Sequence, residues 1–229
     1  MSGYGLGDVE AGLQYQINKG NNSWPIMVAN VKVKIPTGQG PFDVERDATN
    51  GLEEELPTGS GFWGIQSSLT FMKTADPLVF YGNINYVFNM ASDIDEEIST
   101  SNGTALILEV DPGDAIGVSF GGALAITENV SMSLGYEHYY VMATEQTAST
   151  FVLFAPPPPV GQPIGFFDAP VTTTGEDAQV GSLLFGVNFR DDEGGSYSMT
   201  LSAGLTDDAP DVAVSFRRPF SFDVGSWVE

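Results

Sequence analysis

The stretch from Gly113 to Tyr140, GDAIGVSFGGALAITENVSMSLGYEHYY, limits this chain to few folds. Ile116, Val118, Phe120, Leu124 and Ile126 share one parity, while Ala115, Gly117, Ser119, Gly121, Ala123 and Ala125 share the other. After Thr127-Glu128-Asn129 the alternation resumes, with Val130, Met132, Leu134 and Tyr136 opposite Ser131, Ser133, Gly135 and Glu137. Period two interrupted by a short polar turn is a β-hairpin. Each arm runs about a dozen residues, against roughly five or six for an ordinary strand. A tilted strand crossing a bilayer needs about nine to eleven. The water-facing side of a soluble barrel usually carries many Lys and Glu. Here the second face is small and nearly uncharged, which suits a crowded lumen with the bulky face toward lipid.

The same alternation recurs along the chain. Val9, Leu13 and Tyr15 stand opposite Glu10, Gln14 and Gln16, and Ala29, Val31, Val33 and Ile35 opposite Asn30, Lys32 and Lys34. Trp63, Ile65, Leu69 and Phe71 oppose Gln66, Ser68 and Thr70, and Leu78, Phe80, Ile84, Tyr86 and Phe88 oppose Asn83 and Asn85. Leu183, Phe185, Val187 and Phe189 face away from Gly186, Asn188 and Arg190. Tyr197 to Leu205 and Val212 to Phe216 repeat the pattern, the last against Ser215 and Arg217. Long connections are expected at about 36–59, 91–112 and 143–177, the first two strongly acidic and the third holding Pro156 to Pro159.

About nine strands are thus visible, and short and long connections alternate until the last, which is short. Outer-membrane barrels have short periplasmic turns and long external loops. Putting the short turns inside makes the first strand begin outside. An even barrel then requires an odd number of further strands, ahead of Met1 or from another chain, for example in a homo-oligomer. The opening MSGYGLGDVE has no basic or apolar signal region. An outer-membrane protein must be exported, so this reading expects a leader and further strands upstream.

Composition removes other classes. A length of 229 residues suits one β-domain. No apolar run approaches the ~18 residues of a membrane helix, so any crossing is by strands. The 30 acidic and 8 basic residues, a net charge of −22, argue against nucleic acid as a partner. There is no cysteine, hence no disulfide or thiolate metal site.

Several phrases resemble one family. They are Gly5-Leu6-Gly7-Asp8-Val9 with Gly12-Leu13-Gln14-Tyr15, Val33 to Gly38 (VKIPTG), and Pro57-Thr58-Gly59 with Gly61-Phe62-Trp63. Asp76 to Asn83 (DPLVFYGN) and Gly204 to Asp211 (GLTDDAPD) complete the set. Together they resemble the outer-membrane transporter family labelled "MetA-pathway of phenol degradation". The resemblance implies a barrel of roughly twelve strands and uptake of small organic compounds. Two features depart from it: no signal peptide or earlier strands precede the Gly-Asp phrase, and a tail, Asp223 to Glu229, follows Phe222, where such barrels finish on an aromatic residue.

No catalytic or metal constellation emerges. His138 is the single histidine and sits among Tyr136, Tyr139 and Tyr140. Nucleophilic catalysis needs a nucleophile and an orienting group, and no motif supplies them. The bland reading is an interfacial aromatic position, shared with Trp24, Trp63 and Trp227. Divalent cations are candidate partners of the acidic loops, but no Asp-x-Asp-x-Asp-Gly loop occurs, and solvated loops are the simpler state. The lumen-lining candidates are Glu10, Gln14, Gln16, Asn30, Lys32, Lys34, Gln66, Asn83, Asn85, Glu137, Arg190 and Arg217. They describe either a polar conduit or paired charges filling a closed core. The proline-rich connection is either an inward plug or a surface loop.

The sequence therefore predicts an all-β chain, an antiparallel up-and-down transmembrane β-barrel of the bacterial outer membrane. Its expected partners are outer-membrane lipid and a small-molecule solute, with no cofactor and no enzymatic activity. The rivals are a non-transporting structural or assembly barrel, a soluble ligand-binding barrel, and a lipid-acting barrel enzyme using Glu137 and His138.

Overall fold

The computed structural model describes residues 4–21, 23–44, 46–47, 53–100, 103–155, 160–161, 163–191 and 195–219. Pro156 to Pro159, Trp227 and the tail lie outside them. Among the described residues the chain is all-β and contains no helix. In chain order the strands are β1 (Val9–Gln16), β2 (Ile26–Ile35), β3 (Gly64–Ala75), β4 (Leu78–Asn89), β5 (Ser92–Thr100), β6 (Gly103–Asp111) and β7 (Ala115–Ala125). There follow β8 (Val130–Val141), β9 (Glu145–Leu153), β10 (Gly165–Phe167), β11 (Val171–Thr174), β12 (Ala178–Arg190), β13 (Ser196–Gly204) and β14 (Val212–Arg217).

Nine of them form one antiparallel sheet in the order β1-β2-β3-β4-β7-β8-β12-β13-β14. These are the nine strands that the alternation predicts. Its edges, β1 and β14, are exposed throughout and are not paired with each other. The turns β1–β2, β3–β4, β7–β8 and β12–β13 gather at one end, and the longer connections at the other.

The connections expected over 91–112 and 143–177 differ from the prediction, because much of each is strand. β5, β6, β9 and β10 form a second antiparallel sheet, with β11 also paired to β9. It stands beyond the long-connection end of the main sheet and is here called the cap. Its strands continue the main hairpins: β6 pairs with β9 as β7 pairs with β8. The hydrophobic cluster among the described residues lies in this cap. Phe62, Ile107 and Val110 are buried, with Phe42, Ile94, Ile98 and Ala148 packed against them. Phe42 and Phe62, both from the 36–63 connection, meet edge to face at 6.4 Å. Burial of these rings fastens that connection to the cap.

Two matching clasps mark where main strands pass into the cap. Asp114, just before β7, accepts the Tyr86 hydroxyl and the Asn89 amide, the latter at 3.0 Å. Asp177, just before β12, accepts the Tyr140 hydroxyl and the Ala143 amide, the latter at 2.8 Å. Tyrosine and amide are three residues apart in both cases. The first clasp also needs Gly113, whose φ of +67° suits glycine and whose absent Cβ would strike the carbonyls of Met142 and Ala143.

Candidate functional site

Residues paired directly across an antiparallel ladder share a face, so register sorts every side chain of the main sheet. Glu10, Lys34, Gly64 and Asn89 form one row. Gln14, Asn30, Ser68, Asn85, Gly117 and Tyr139 form another. Continued across the sheet, the ladders place all twelve lumen-lining candidates on one face. They are spread over that face from end to end and do not converge on a single site.

Glu10, Lys32, Lys34 and Gln66 come together near the cap, around a depression of about 210 Å³ that Asn89 also lines. Lys32 donates to Glu10 at 2.8 Å. That ion pair is diagonal, since the residue opposite Glu10 is Lys34. Asn83 and Asn85 form the second cluster. Asn83 Nδ2 donates to Thr70 Oγ1 at 2.8 Å, and Asn85 Nδ2 to Asn83 Oδ1 at 3.3 Å. Asn85 is only 5% exposed, and its Oδ1 has no partner among the described residues. Gln14, Gln16 and Asn30 lie at the β1 edge, where Gln16 Nε2 donates to the Asn18 carbonyl. Glu137 stands mid-sheet between Ser119 and Ser182. Arg190 and Arg217 occupy the short-turn end, opposite Ser196 and Ser198.

Sequence reasoning missed Asn89, Tyr81 and Tyr139. All three share the parity of chosen residues, so following the alternation one step further would have included them. The tyrosines explain the glycines opposite. A Cβ on Gly121 would lie 2.5 Å from the Tyr81 hydroxyl, and one on Gly117 2.5 Å from Tyr139 Cε1. The small residues let two aromatic rings lie down on the polar face.

The opposite face is apolar and exposed. Phe120 is 60% exposed and Leu134 56%, and Phe216, at the β14 edge, 70%. Among the described residues of the main sheet, the one formal charge on this face is Lys73, near the short-turn end. Its Nζ reaches the Asn21 carbonyl at 2.7 Å. His138 lies on this face, its Nδ1 3.1 Å from the Tyr136 hydroxyl and its ring stacked on that tyrosine. Trp63 precedes β3 at the cap end, and Trp24 precedes β2 at the short-turn end.

Asp8 is a carboxylate that the sequence reading did not single out. Its Oδ2 accepts Ser60 N at 2.9 Å and Ser60 Oγ at 2.6 Å, and its Oδ1 accepts Gly38 N at 3.2 Å. Burial alone would raise its pKa, but the Ser60 and Gly38 hydrogen bonds, with the Lys34 charge, outweigh it and hold the carboxyl below its ordinary value. Thr58 Oγ1 donates to the Leu6 carbonyl and Thr37 Oγ1 to that of Gly7. Three of the short phrases described above, around Gly5–Asp8, Pro36–Gly38 and Pro57–Gly59, therefore meet in one junction at the start of β1. Among the described residues no group of three or more His, Cys, Asp or Glu is placed to hold a metal ion. No protein-family model matches the chain.

Proposed function

We propose that the main sheet is the wall of an outer-membrane β-barrel that passes small organic molecules by diffusion along its polar face. The observation that carries this reading is the inverted polarity of the sheet. The bulky apolar face is open, while the polar face is the sheltered one, with Asn85 and Ser182 at 5% and 4% exposure. A water-soluble sheet buries its apolar face; a sheet in lipid does the reverse.

Dimensions support it. β3, β4 and β8 have 12 residues and β12 has 13, against the roughly nine to eleven needed to cross a bilayer. On the apolar face, Tyr140 marks the cap end, and the Val130–Phe189–Tyr197 row marks the other. Ten residues at about 3.3 Å each give roughly 33 Å along the strand, or about 23 Å at a tilt near 45°. The apolar band of such barrels is about 25 Å tall, bounded by aromatic girdles. The motif resemblance points the same way.

β1 and β14 run in the same direction, so an all-antiparallel closed wall needs an odd number of further strands between them. A second copy in the same orientation would meet each edge in parallel. Tyr81 and Tyr139 lying across the polar face favour one alternative, a wall filled by its own side chains that transports nothing. Two measurements decide. A heat-modifiable band for detergent-folded protein, with swelling of protein-loaded liposomes in small solutes, supports a conduit. Heat modifiability without swelling supports the filled wall, and solubility without detergent removes both.

A further inference from the structure

The polar face opposes the charge of the chain. The connections at the cap end hold most of the 30 acidic residues, with Arg46 their single basic one. On the polar face the balance reverses: Lys32, Lys34, Arg190 and Arg217 stand against Glu10 and Glu137. Glu10 is neutralised by Lys32 at 2.8 Å. The Lys34 ammonium, beside that pair, has no hydrogen-bond or ion-pair partner among the described residues. Its arm crosses the space left open by Gly64, where a Cβ would lie 3.4 Å from both Lys34 Cε and Asn89 Oδ1. Asn89 is held in place, since its Nδ2 donates to the Gly113 carbonyl at 2.6 Å. The Gln66 side chain lines the same depression and has no hydrogen-bond partner among the described residues. The nearby carboxylate of Asp8 feels the Lys34 charge but is not paired with it, its oxygens being held by Ser60 and Gly38.

We propose that this depression binds small organic carboxylates. The two carboxylate oxygens accept from Lys34 Nζ and Gln66 Nε2, and the apolar remainder rests on Val87 and the methylenes of Lys32. A flexible ammonium beside a neutral amide suits a carboxylate, since the charge supplies affinity and the amide direction. Solvent-exposed carboxylates of the cap weaken this attraction only within a screening length of about 8 Å at physiological ionic strength. This names a solute class for the proposed conduit and rests on that reading for delivery, but binding itself is measured without a membrane.

The test is equilibrium dialysis of detergent-folded full chain against benzoate, benzamide and benzamidine, three ligands of like shape and different charge. Benzoate is expected to bind at least about tenfold more tightly than either of the others, the worth of one charge-assisted hydrogen bond. Lys34→Gln is expected to weaken benzoate about tenfold and leave benzamide unchanged. Lys73→Gln, on the opposite face, should change neither. Gln66→Leu gives a second variant, expected to weaken benzoate where Lys34→Gln does not fold. Equal binding of benzoate and benzamidine, or undiminished benzoate binding by a folded Lys34→Gln, overturns the proposal. Benzoate binding that persists where liposome swelling fails keeps the site and removes the conduit.

Discussion

Phe120→Arg separates a lipid-facing sheet from a water-facing one by energy alone. Phe120 sits at the centre of β7, between Gly82 and Tyr136 in register, and is 60% exposed. Its ring packs 5.7 Å from that of Tyr136. Losing that contact costs about 0.5–1.5 kcal/mol in either environment, so the reference is Phe120→Leu, which loses it too. If the apolar face meets water, Arg in place of Leu changes stability by no more than about 0.5 kcal/mol. If it meets hydrocarbon near mid-depth, Arg costs about 2–4 kcal/mol. The smaller of those figures shifts the folded-to-unfolded ratio about thirtyfold. Urea titration in lipid vesicles, read by tryptophan fluorescence and by the heat-modifiable band, measures the difference at constant slope. Agreement of the Arg and Leu variants within about 0.5 kcal/mol would refute the lipid-facing assignment.

Gly121 and Gly122 are adjacent but on opposite faces. Gly121→Ala meets the Leu134 carbonyl and the Tyr81 ring at about 2.6 Å, while Gly122→Ala finds nothing nearer than 3.7 Å. The first is expected to cost about 1–3 kcal/mol in the same titration and the second to be neutral or slightly stabilising; equal effects would contradict the assigned faces. The Asp8 carboxyl lies below its ordinary 3.8 in the folded chain. Its contribution to stability is therefore present at neutral pH and lost as pH falls below about 4 toward the folded value. The Ser60 amide resonance should titrate with a midpoint under 3.8, and not at all in Asp8→Asn; a midpoint at or above 3.8 would contradict this. The Tyr140 hydroxyl and the Ala143 amide stabilise the charged form of Asp177 and lower its pKa. Asp177→Ala should speed hydrogen exchange at Ala143, and unchanged exchange would remove the clasp from the account.

The main sheet was legible because each strand obeys one rule along its length. Leu78–Asn89 and Val130–Val141 keep their register with both neighbours without a shift, so parity fixes the face of every side chain even where Tyr81 and Tyr139 interrupt the apolar–polar alternation. The cap strands break the rule. Ile107 and Val110, three apart, would face opposite ways in a regular strand, yet both are buried. A register shift against β9 between Ile107 and Glu109 turns them to the same side. β5 carries a matching irregularity between Asp93 and Glu96, with Asp95 at a φ of +51°. Without an unbroken period, a run such as Asp93 to Glu97 reads as a solvated loop. The candidate face was readable by parity, but depth along the strand and pairing were not. The ion pair of Glu10 with Lys32 in preference to Lys34 depends on side-chain reach, which alternation does not encode.

On the membrane reading, the Phe62–Ile107–Val110 cluster and the open apolar face put the two sheets in different solvents. The cap hides its apolar residues from water in the ordinary way, so its stability follows the hydrophobic effect and weakens directly in urea. On the membrane reading, the main sheet draws its apolar stabilisation from the bilayer that covers its open face. One chain then has two thermodynamic references, and folding need not be a single all-or-none event. The cap can assemble in water while the wall waits for lipid, or melt at the surface while the wall stays inserted. A titration followed only by Trp24, near the short-turn end, would report the wall and overlook the cap.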